Sequence, residues 1–444
     1  MESIHIICLF IYLTDRMTTI QKFGREAMKS KYGMTSCWLG SQLSTCDAAI
    51  TEVVTRTCLG KTDIVTKIAK HLLGNGSVFA PVNIWRPRRR LLAPAFSVKN
   101  LRDYVEIFAE QSMILTHSLR PAADGGTFPI WKYFSAYAMD TLCETTLGVK
   151  MNAQMLYLHP FLSALNKYLT IIPLRLVQPN RHWEWLFQLL PVYKEIETAK
   201  IIIHDFVDDV TQMNQTRRSF LDDLMLSSED GNGFTNVELR EETLTLLIAG
   251  NDSTATATAT TIVTLSRYMD VQGKAYEEYV LKRVFIFGES KRRVTFDDLP
   301  KLIYTEALIK ETLRLYPPVP VIMRENDVNV TLAGTYTGIN IWGLHRNPRY
   351  WGADAEEFNP DRFLNGSPSE RTAFLPFSFG PRDCLGHKYG IMSMKIVVAS
   401  LLREYKVLPP TDLSPADLIK PLRMEYKVMI KAVDKFKVRI ERRA

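Results

Sequence analysis

Helical periodicity dominates the order of apolar and polar positions along the chain. Apolar residues recur at the three-to-four spacing of an amphipathic helix over 101–120, 131–148 and 302–316, with Gly148 placed to cap the second of these. Residues 17–37 predict a helix that ends at Lys31-Tyr32-Gly33, followed by short β-like pieces around 35–39. The longest helix opens at Thr235-Asn236-Val237-Glu238, which has the spacing of a capping box, and its pattern continues to about Tyr268. At ~1.5 Å per residue it spans roughly 50 Å, enough to cross a whole domain. After Pro317-Pro318 the pattern changes to β-like pieces, of which Asn340-Ile341-Trp342 is the best strand candidate. A helical run over 386–402 is followed by alternation over 404–410 and 422–441, as in Tyr426, Val428, Ile430 and Phe436, Val438, Ile440. Helices therefore carry most of the chain, and strands collect near its end.

Composition adds bounds to this picture. The 444 residues are 46% hydrophobic and 23% charged, ordinary for a globular chain with ample core, and long enough for two or more lobes. No low-complexity linker or internal repeat marks a boundary, so 22–444 reads as one domain behind a short apolar segment, 1–21. Within that segment 4–13 is apolar, about half of the ~20 residues needed to cross a bilayer, so no full anchor is visible. The formal charge of +7 is mildly basic, and the densest basic cluster is Arg86-Pro87-Arg88-Arg89-Arg90. That favours a basic face for an acidic partner or a membrane surface over nucleic-acid binding. The six cysteines have no metal-site spacing and are too few for a disulfide scaffold. Residues 161–191 are unusually apolar and read as helix plus core, or as a surface that dips into a membrane interface.

One stretch carries distinct chemistry: Phe377-Ser378-Phe379-Gly380-Pro381-Arg382-Asp383-Cys384-Leu385-Gly386. It sets Cys384 in a turn just before a helix, where the positive end of the helix dipole favours thiolate. Gly380 permits a positive φ, Gly386 lets a flat object approach the backbone, and Arg382 brings a fixed charge two residues from the sulfur. Upstream, Trp85-Arg86-Pro87-Arg88-Arg89 is expected to open a helix with Pro87 in its first turn. Trp85 and Arg89 then share one face while Arg86, Arg88 and Arg90 point elsewhere; the plainer reading is a solvated basic helix start. Glu311 and Arg314 share a helix face and by spacing alone are a surface ion pair. Ala249-Gly250-Asn251-Asp252-Ser253-Thr254 is an odd insert in a buried helix and predicts a local distortion there.

The order Trp-x-x-x-Arg, Ala-Gly-x-Asp-Ser-Thr, Glu-x-x-Arg, Asn-Pro-Asp-Arg-Phe and Phe-x-x-Gly-x-Arg-x-Cys-x-Gly resembles the cytochrome P-450 superfamily of haem-thiolate monooxygenases. The wording KETLRLYPPVP, LHRNPRYW and FNPDRF is similar to the microsomal branch that contains insect and vertebrate fatty-acid and xenobiotic hydroxylases. The resemblance implies a mainly α fold: a large helical lobe around a long central helix, plus a smaller β-rich lobe. It implies haem b, non-covalent apart from a Cys384–iron bond, with Phe377 packed beside the sulfur and Gly386 in the haem-binding loop. Trp85, Arg89, Arg324 and Arg382 match the residues that hold the haem propionates, and Glu311, Arg314 and Arg362 the ion-paired structural core beneath the loop. Asp252, Ser253 and Thr254 match the acid–alcohol relay that delivers protons for oxygen activation.

Further expectations follow from the same resemblance. The reaction would insert one atom of O2 into a lipophilic substrate, at the cytosolic face of the endoplasmic reticulum membrane. Electrons would come from NADPH-cytochrome P-450 reductase, with cytochrome b5 as a second donor, docking near Arg86, Arg88 and Lys388. Ser253 stands where threonine is commonest, so looser coupling is expected. Ala249 replaces a glutamate that esterifies the haem in some hydroxylases, so the haem should be acid-extractable. The segment from Asp327 to Thr337 is shorter than the usual pattern. Two alternatives remain at this point: a reductase-independent haem-thiolate isomerase or dehydratase, and a non-catalytic haem-binding relic.

Overall fold

The computed structural model describes residues 16–37, 42–156, 159–172, 184–212, 234–280, 287, 290, 292–325, 336–366 and 368–443. The apolar stretch 4–13 and the shortened segment before Thr337 lie outside them, apart from Tyr336 and Thr337 themselves. The principal helices are α1 (Arg16–Lys29), α2 (Ala48–Thr57), α3 (Asp63–Leu73), α4 (Val82–Leu92), α5 (Val98–Ser118), α6 (Trp131–Leu142), α7 (Pro160–Ile171), α8 (Pro191–Gln212), α9 (Asn236–Arg267), α10 (Met269–Val280), α11 (Ile303–Leu315) and α12 (His387–Glu404). The strands are β1 (Met34–Cys37), β2 (Gln42–Thr45), β3 (Phe128–Pro129), β4 (Val321–Glu325), β5 (Tyr336–Asn340), β6 (Tyr405–Leu408), β7 (Met424–Tyr426), β8 (Ile430–Ala432) and β9 (Lys437–Arg442).

α9 is the axis of the helical lobe. Its start is the expected capping box: the Thr235 hydroxyl accepts from the Glu238 N–H, and the Glu238 carboxylate accepts from the Thr235 N–H at 2.9 Å. From Asn251 to Ser266 all but Ser253 are buried, because α6 lies along one side and α11 and α12 cross the other. The helix is continuous through Ala249–Thr254, so the expected distortion is absent. Gly250 serves packing instead: a Cβ there would meet Leu142 Cδ2 at 2.9 Å, so any side chain would make Leu142 shift where α9 and α6 meet. α6 runs into a wider helical turn, Cys143–Leu147, and stops at Gly148 with φ +69°, as its sequence predicts.

The β-rich part is built from three small sheets. One has the order β1-β2-β5-β4, with β2 parallel to β5 and the other pairs antiparallel. A second is β3-β9-β6, and the β7-β8 hairpin stands apart. The alternation read over 404–410 and 422–441 thus becomes β6 to β9. Asn340 ends β5 and does not centre a strand: its side chain accepts the Gly343 N–H at 2.9 Å, so Ile341 and Trp342 turn into a helical turn, Ile341–Leu344. In the apolar stretch 161–191, Phe161, Leu165, Tyr168 and Phe187 join the core, whereas Trp185 and Leu189 are exposed. No described helix is long and apolar enough to cross a membrane.

Candidate active site

α12 begins at the cysteine loop, and the loop's shape is set by its own backbone. Ser378 and Gly380 have φ of +63° and +80°. A Cβ on Gly380 would lie 2.5 Å from the Thr55 carbonyl oxygen, so this turn both needs the conformation and leaves no room for a side chain. The Cys384 N–H donates to the Phe377 carbonyl at 2.8 Å, and the Phe377 ring packs on His387 with centroids 4.7 Å apart. Gly386 is different: the nearest atom to a Cβ there is Phe96 Cε1 at 3.9 Å, so protein leaves its face open. The Cys384 sulfur is solvent-accessible yet lies deep in the fold. That burial pushes its thiol up to about 11, against the pull of the Gly386 N–H and Arg89. The helix dipole alone therefore does not make it a thiolate, and Arg382 does not act on it. A metal cation at the sulfur is what would hold it deprotonated.

Arg382 points the other way, into a group of cations. Its guanidinium stacks on Trp85 at 4.5 Å and donates one hydrogen bond, to the Ala80 carbonyl at 2.5 Å, leaving Nε and Nη1 buried without partners. Among the described residues Arg324, 1% exposed, reaches only the Met323 carbonyl at 3.1 Å and Ser378 Oγ at 3.5 Å, and its Nε is also orphaned. Burial pulls Arg324 down to about 10, and burial plus the charge of Arg324 pulls Arg382 to about 10. Lys61 joins them, pulled well below the ordinary ammonium range by burial and then by both guanidiniums. Three cations without a carboxylate partner among the described residues would repel one another. Their orphaned donors fit an anionic group, and the open face of Gly386 fits a flat one, so the residues present suit a porphyrin bearing propionates.

The two expected partners on α4 behave differently. Trp85 is buried under Arg382, while Arg89 donates to the Asp383 carbonyl at 2.8 Å and its carboxylate at 2.5 Å, clamping the loop before Cys384. α4 starts at Val82, so Pro87 sits in mid-helix and not in the first turn. Arg88 itself corrects the docking expectation: it is 5% exposed and bonded to the Asn75 carbonyl, Glu238, Glu241 and Glu242 at 2.7–3.1 Å. An incoming protein cannot reach it. Arg86, Arg90 and Lys388 are exposed.

Beneath the loop, Glu311 and Arg314 are both fully buried, which overturns the surface reading of that pair. Arg314 spends all five N–H groups: two on Glu311 at 2.7 and 2.8 Å, and three on the carbonyls of His345, Ala355 and Glu357. Arg362 lies 3.5 Å from Glu311 but pairs mainly with Asp354. His345, which motif reading had not singled out, links this core to the loop. Its Nε2 accepts the Leu375 N–H at 2.7 Å, so Nδ1–H donates to the Arg314 carbonyl at 3.1 Å. On α9, Asp252 and Thr254 are buried and Ser253 half-buried, with the Ser253 hydroxyl donating to the Ala249 carbonyl at 2.6 Å. Lys61 and Lys431, which meets Asp252, carry no motif signal, and His345 lies in the quoted LHRNPRYW stretch but shows its role only through its partners; each is defined by residues far away in the chain.

Mainly helical architecture, a long central helix and a cysteine loop beside unpaired cations define a haem-thiolate protein. The family model "Cytochrome P450" matches residues 7–431, and the chain belongs to that family of haem-thiolate monooxygenases, which bind haem b through a cysteine. The chain is 33% identical over 382 residues to cytochrome P-450 4d8 of Drosophila melanogaster, covering 78% of this chain and 81% of the relative. It is 30% identical to cytochrome P-450 4c21 of Blattella germanica, covering 88% and 83%. It is 33% identical to cytochrome P-450 4V2 of Homo sapiens, covering 76% and 69%.

Proposed function

We propose that the chain hydroxylates a lipophilic small molecule, with Cys384 as the residue that would hold haem iron and NADPH-cytochrome P-450 reductase as electron donor. The reading rests above all on the buried, partnerless donors of Arg324 and Arg382 beside the cysteine loop. Trp85, Arg324, Arg382 and Lys61 would hold the propionates; Phe377 and Gly386 would flank the sulfur and the ring. Haem bound there supplies the oxygen activation and transfer. The protein's own part is to fix the sulfur through the Phe377 carbonyl, brace the loop with Arg89 and the Glu311–Arg314–His345 core, and exclude water from the buried face of α9. Asp252, Ser253 and Thr254 would move protons along that face.

The reductase, with cytochrome b5 as a second donor, would dock on the exposed Arg86, Arg90 and Lys388, a contact that weakens with salt. The working site would be the cytosolic face of the endoplasmic reticulum membrane, with exposed Trp185 and Leu189 at the lipid surface. The test is the carbon monoxide difference spectrum of the reduced protein, followed by NADPH-driven turnover of a lipophilic panel with purified reductase. A strongly red-shifted Soret band lost in Cys384→Ser supports the reading. A wild type that binds haem without that band overturns it.

A further inference from the structure

Lys431, on β8, sits where three elements meet. Its ammonium donates to the Asp252 carboxylate of α9 and to Thr256 Oγ1 at 2.8 Å, and it lies 4.0 Å from the centre of the Trp131 ring at the start of α6. Asp252 and Thr256 are one helical turn apart on the same face, so a single ammonium straddles both. Both charged side chains are largely buried, 16% exposed for Lys431 and 6% for Asp252. Among the described residues, Lys431 is the hydrogen-bond partner of the Asp252 carboxylate. The neighbouring Ser253 hydroxyl is already anchored to the Ala249 carbonyl, so the carboxylate's orientation is left to Lys431.

We propose that Lys431 is a positioning residue for oxygen activation: carried by the β7-β8 hairpin, it fixes the Asp252 carboxylate against α9 in the orientation from which protons are delivered. The inference rests on the reading of Asp252 as part of the proton relay. A buried carboxylate turns toward whatever donor reaches it, and the Lys431 ammonium is the donor that reaches Asp252. Burial pulls Lys431 below the ordinary ammonium range, while Asp252 works against that pull; Lys427, on the same hairpin, is a like charge but is paired with Glu425 at 2.8 Å. Trp131 adds a ring face and no charge. The hairpin and the relay are thus one mechanical unit, and a shift of β8 would reach Asp252 through a single side chain.

The experiment compares Lys431→Met, Lys431→Arg, Asp252→Asn and the Asp252→Asn/Lys431→Met double variant, each haem-loaded and supplied with reductase. Peroxide released per NADPH consumed, the solvent deuterium isotope effect on NADPH consumption, and turnover driven by added hydrogen peroxide are read on each. Lys431→Met is expected to lower coupled NADPH-driven turnover about ten- to hundredfold and raise peroxide release and the isotope effect. Peroxide-driven turnover, which bypasses the relay, should stay within about twofold. Lys431→Arg should restore most of the coupling, and the double variant should be no worse than Asp252→Asn alone. Unchanged coupling in Lys431→Met, equal losses in both modes of turnover, or additive losses in the double variant would overturn the proposal. If Lys431→Met does not load haem, the double variant, neutral at both positions, carries the comparison against Asp252→Asn. A wild type without the red-shifted carbon monoxide band overturns the haem reading and this one with it. A normal band with coupling indifferent to Lys431 overturns this one alone.

Discussion

Arg314→Lys isolates what a guanidinium does beneath the cysteine loop. The substitution keeps a positive charge beside Glu311, so the Coulombic part of the pair survives. What it removes is hydrogen-bonding capacity. Arg314 supplies five N–H donors to five acceptors, two on Glu311 and one each on the carbonyls of His345, Ala355 and Glu357. An ammonium has three donors on a differently shaped tip, so at least two of those acceptors lose their donor. Each buried orphan costs about 1–3 kcal/mol, and two of them about 2–6 kcal/mol. A domain's net stability is typically ~5–15 kcal/mol, so the variant should fold weakly or lose much of its haem-binding fraction. Urea unfolding followed by far-UV circular dichroism, on apoprotein and haem-loaded protein, measures the loss. A loss below about 1 kcal/mol with an unchanged slope would refute the reasoning, because it would mean that the carbonyls find other donors. Arg314→Met should be worse: it also takes the main counter-charge from the Glu311 carboxylate, 0% exposed, leaving it Arg362 at 3.5 Å and the Asn359 N–H at 2.8 Å, and removing one partner of a buried pair costs about 3–5 kcal/mol.

Other outcomes follow from the same geometry. Arg382→Met removes a buried cation without a carboxylate partner, so the apoprotein should gain stability while haem affinity falls about ten- to hundredfold, read by urea unfolding and haem titration. Gly386→Ala should fold and lose haem binding, since its Cβ meets no protein atom closer than 3.9 Å, whereas Gly380→Ala should fail to fold because its Cβ meets the Thr55 oxygen at 2.5 Å. Burial drives His345 down to about 3, so it is neutral in the fold and takes up a proton on unfolding below its ordinary 6.5. Its contribution is complete above pH 6.5 and is lost as pH falls toward 3, at about 1.4 kcal/mol per pH unit; His345→Gln should remove one proton's worth of that slope in apoprotein unfolding. Ser253→Thr restores the methyl that restricts χ1, and should lower peroxide released per NADPH; no difference would dismiss the looser coupling expected of serine.

Local signals were legible where the physics is local. The capping box at Thr235 and Glu238, the left-handed cap at Gly148 and the turn around Gly380 depend on residues within a few positions of one another, and each stands where its pattern puts it. The same locality misled where a side chain answered to a distant neighbour. Gly250 resembles a helix breaker until Leu142 is seen against it, and Asn340 resembles mid-strand until its side chain caps the next turn.

Charge partnership was the part that only tertiary structure decided. Arg86, Arg88 and Arg90 are equivalent in a string of letters, yet Arg88 is buried against glutamates some 150 positions away while the other two face solvent. Lys61, Arg324 and Arg382 are ordinary cations until the fold gathers them with no carboxylate of the described residues among them, and Lys431 is one lysine of many until β8 sets it on Asp252. The periodicity of a helix or a turn is written in neighbouring residues, so the sequence alone determined most of the elements and the place of the cysteine loop, but not the state of its sulfur. Burial and pairing are properties of the folded surface as a whole, which is why the anion-holding cluster and the lysine on the relay became visible only in three dimensions.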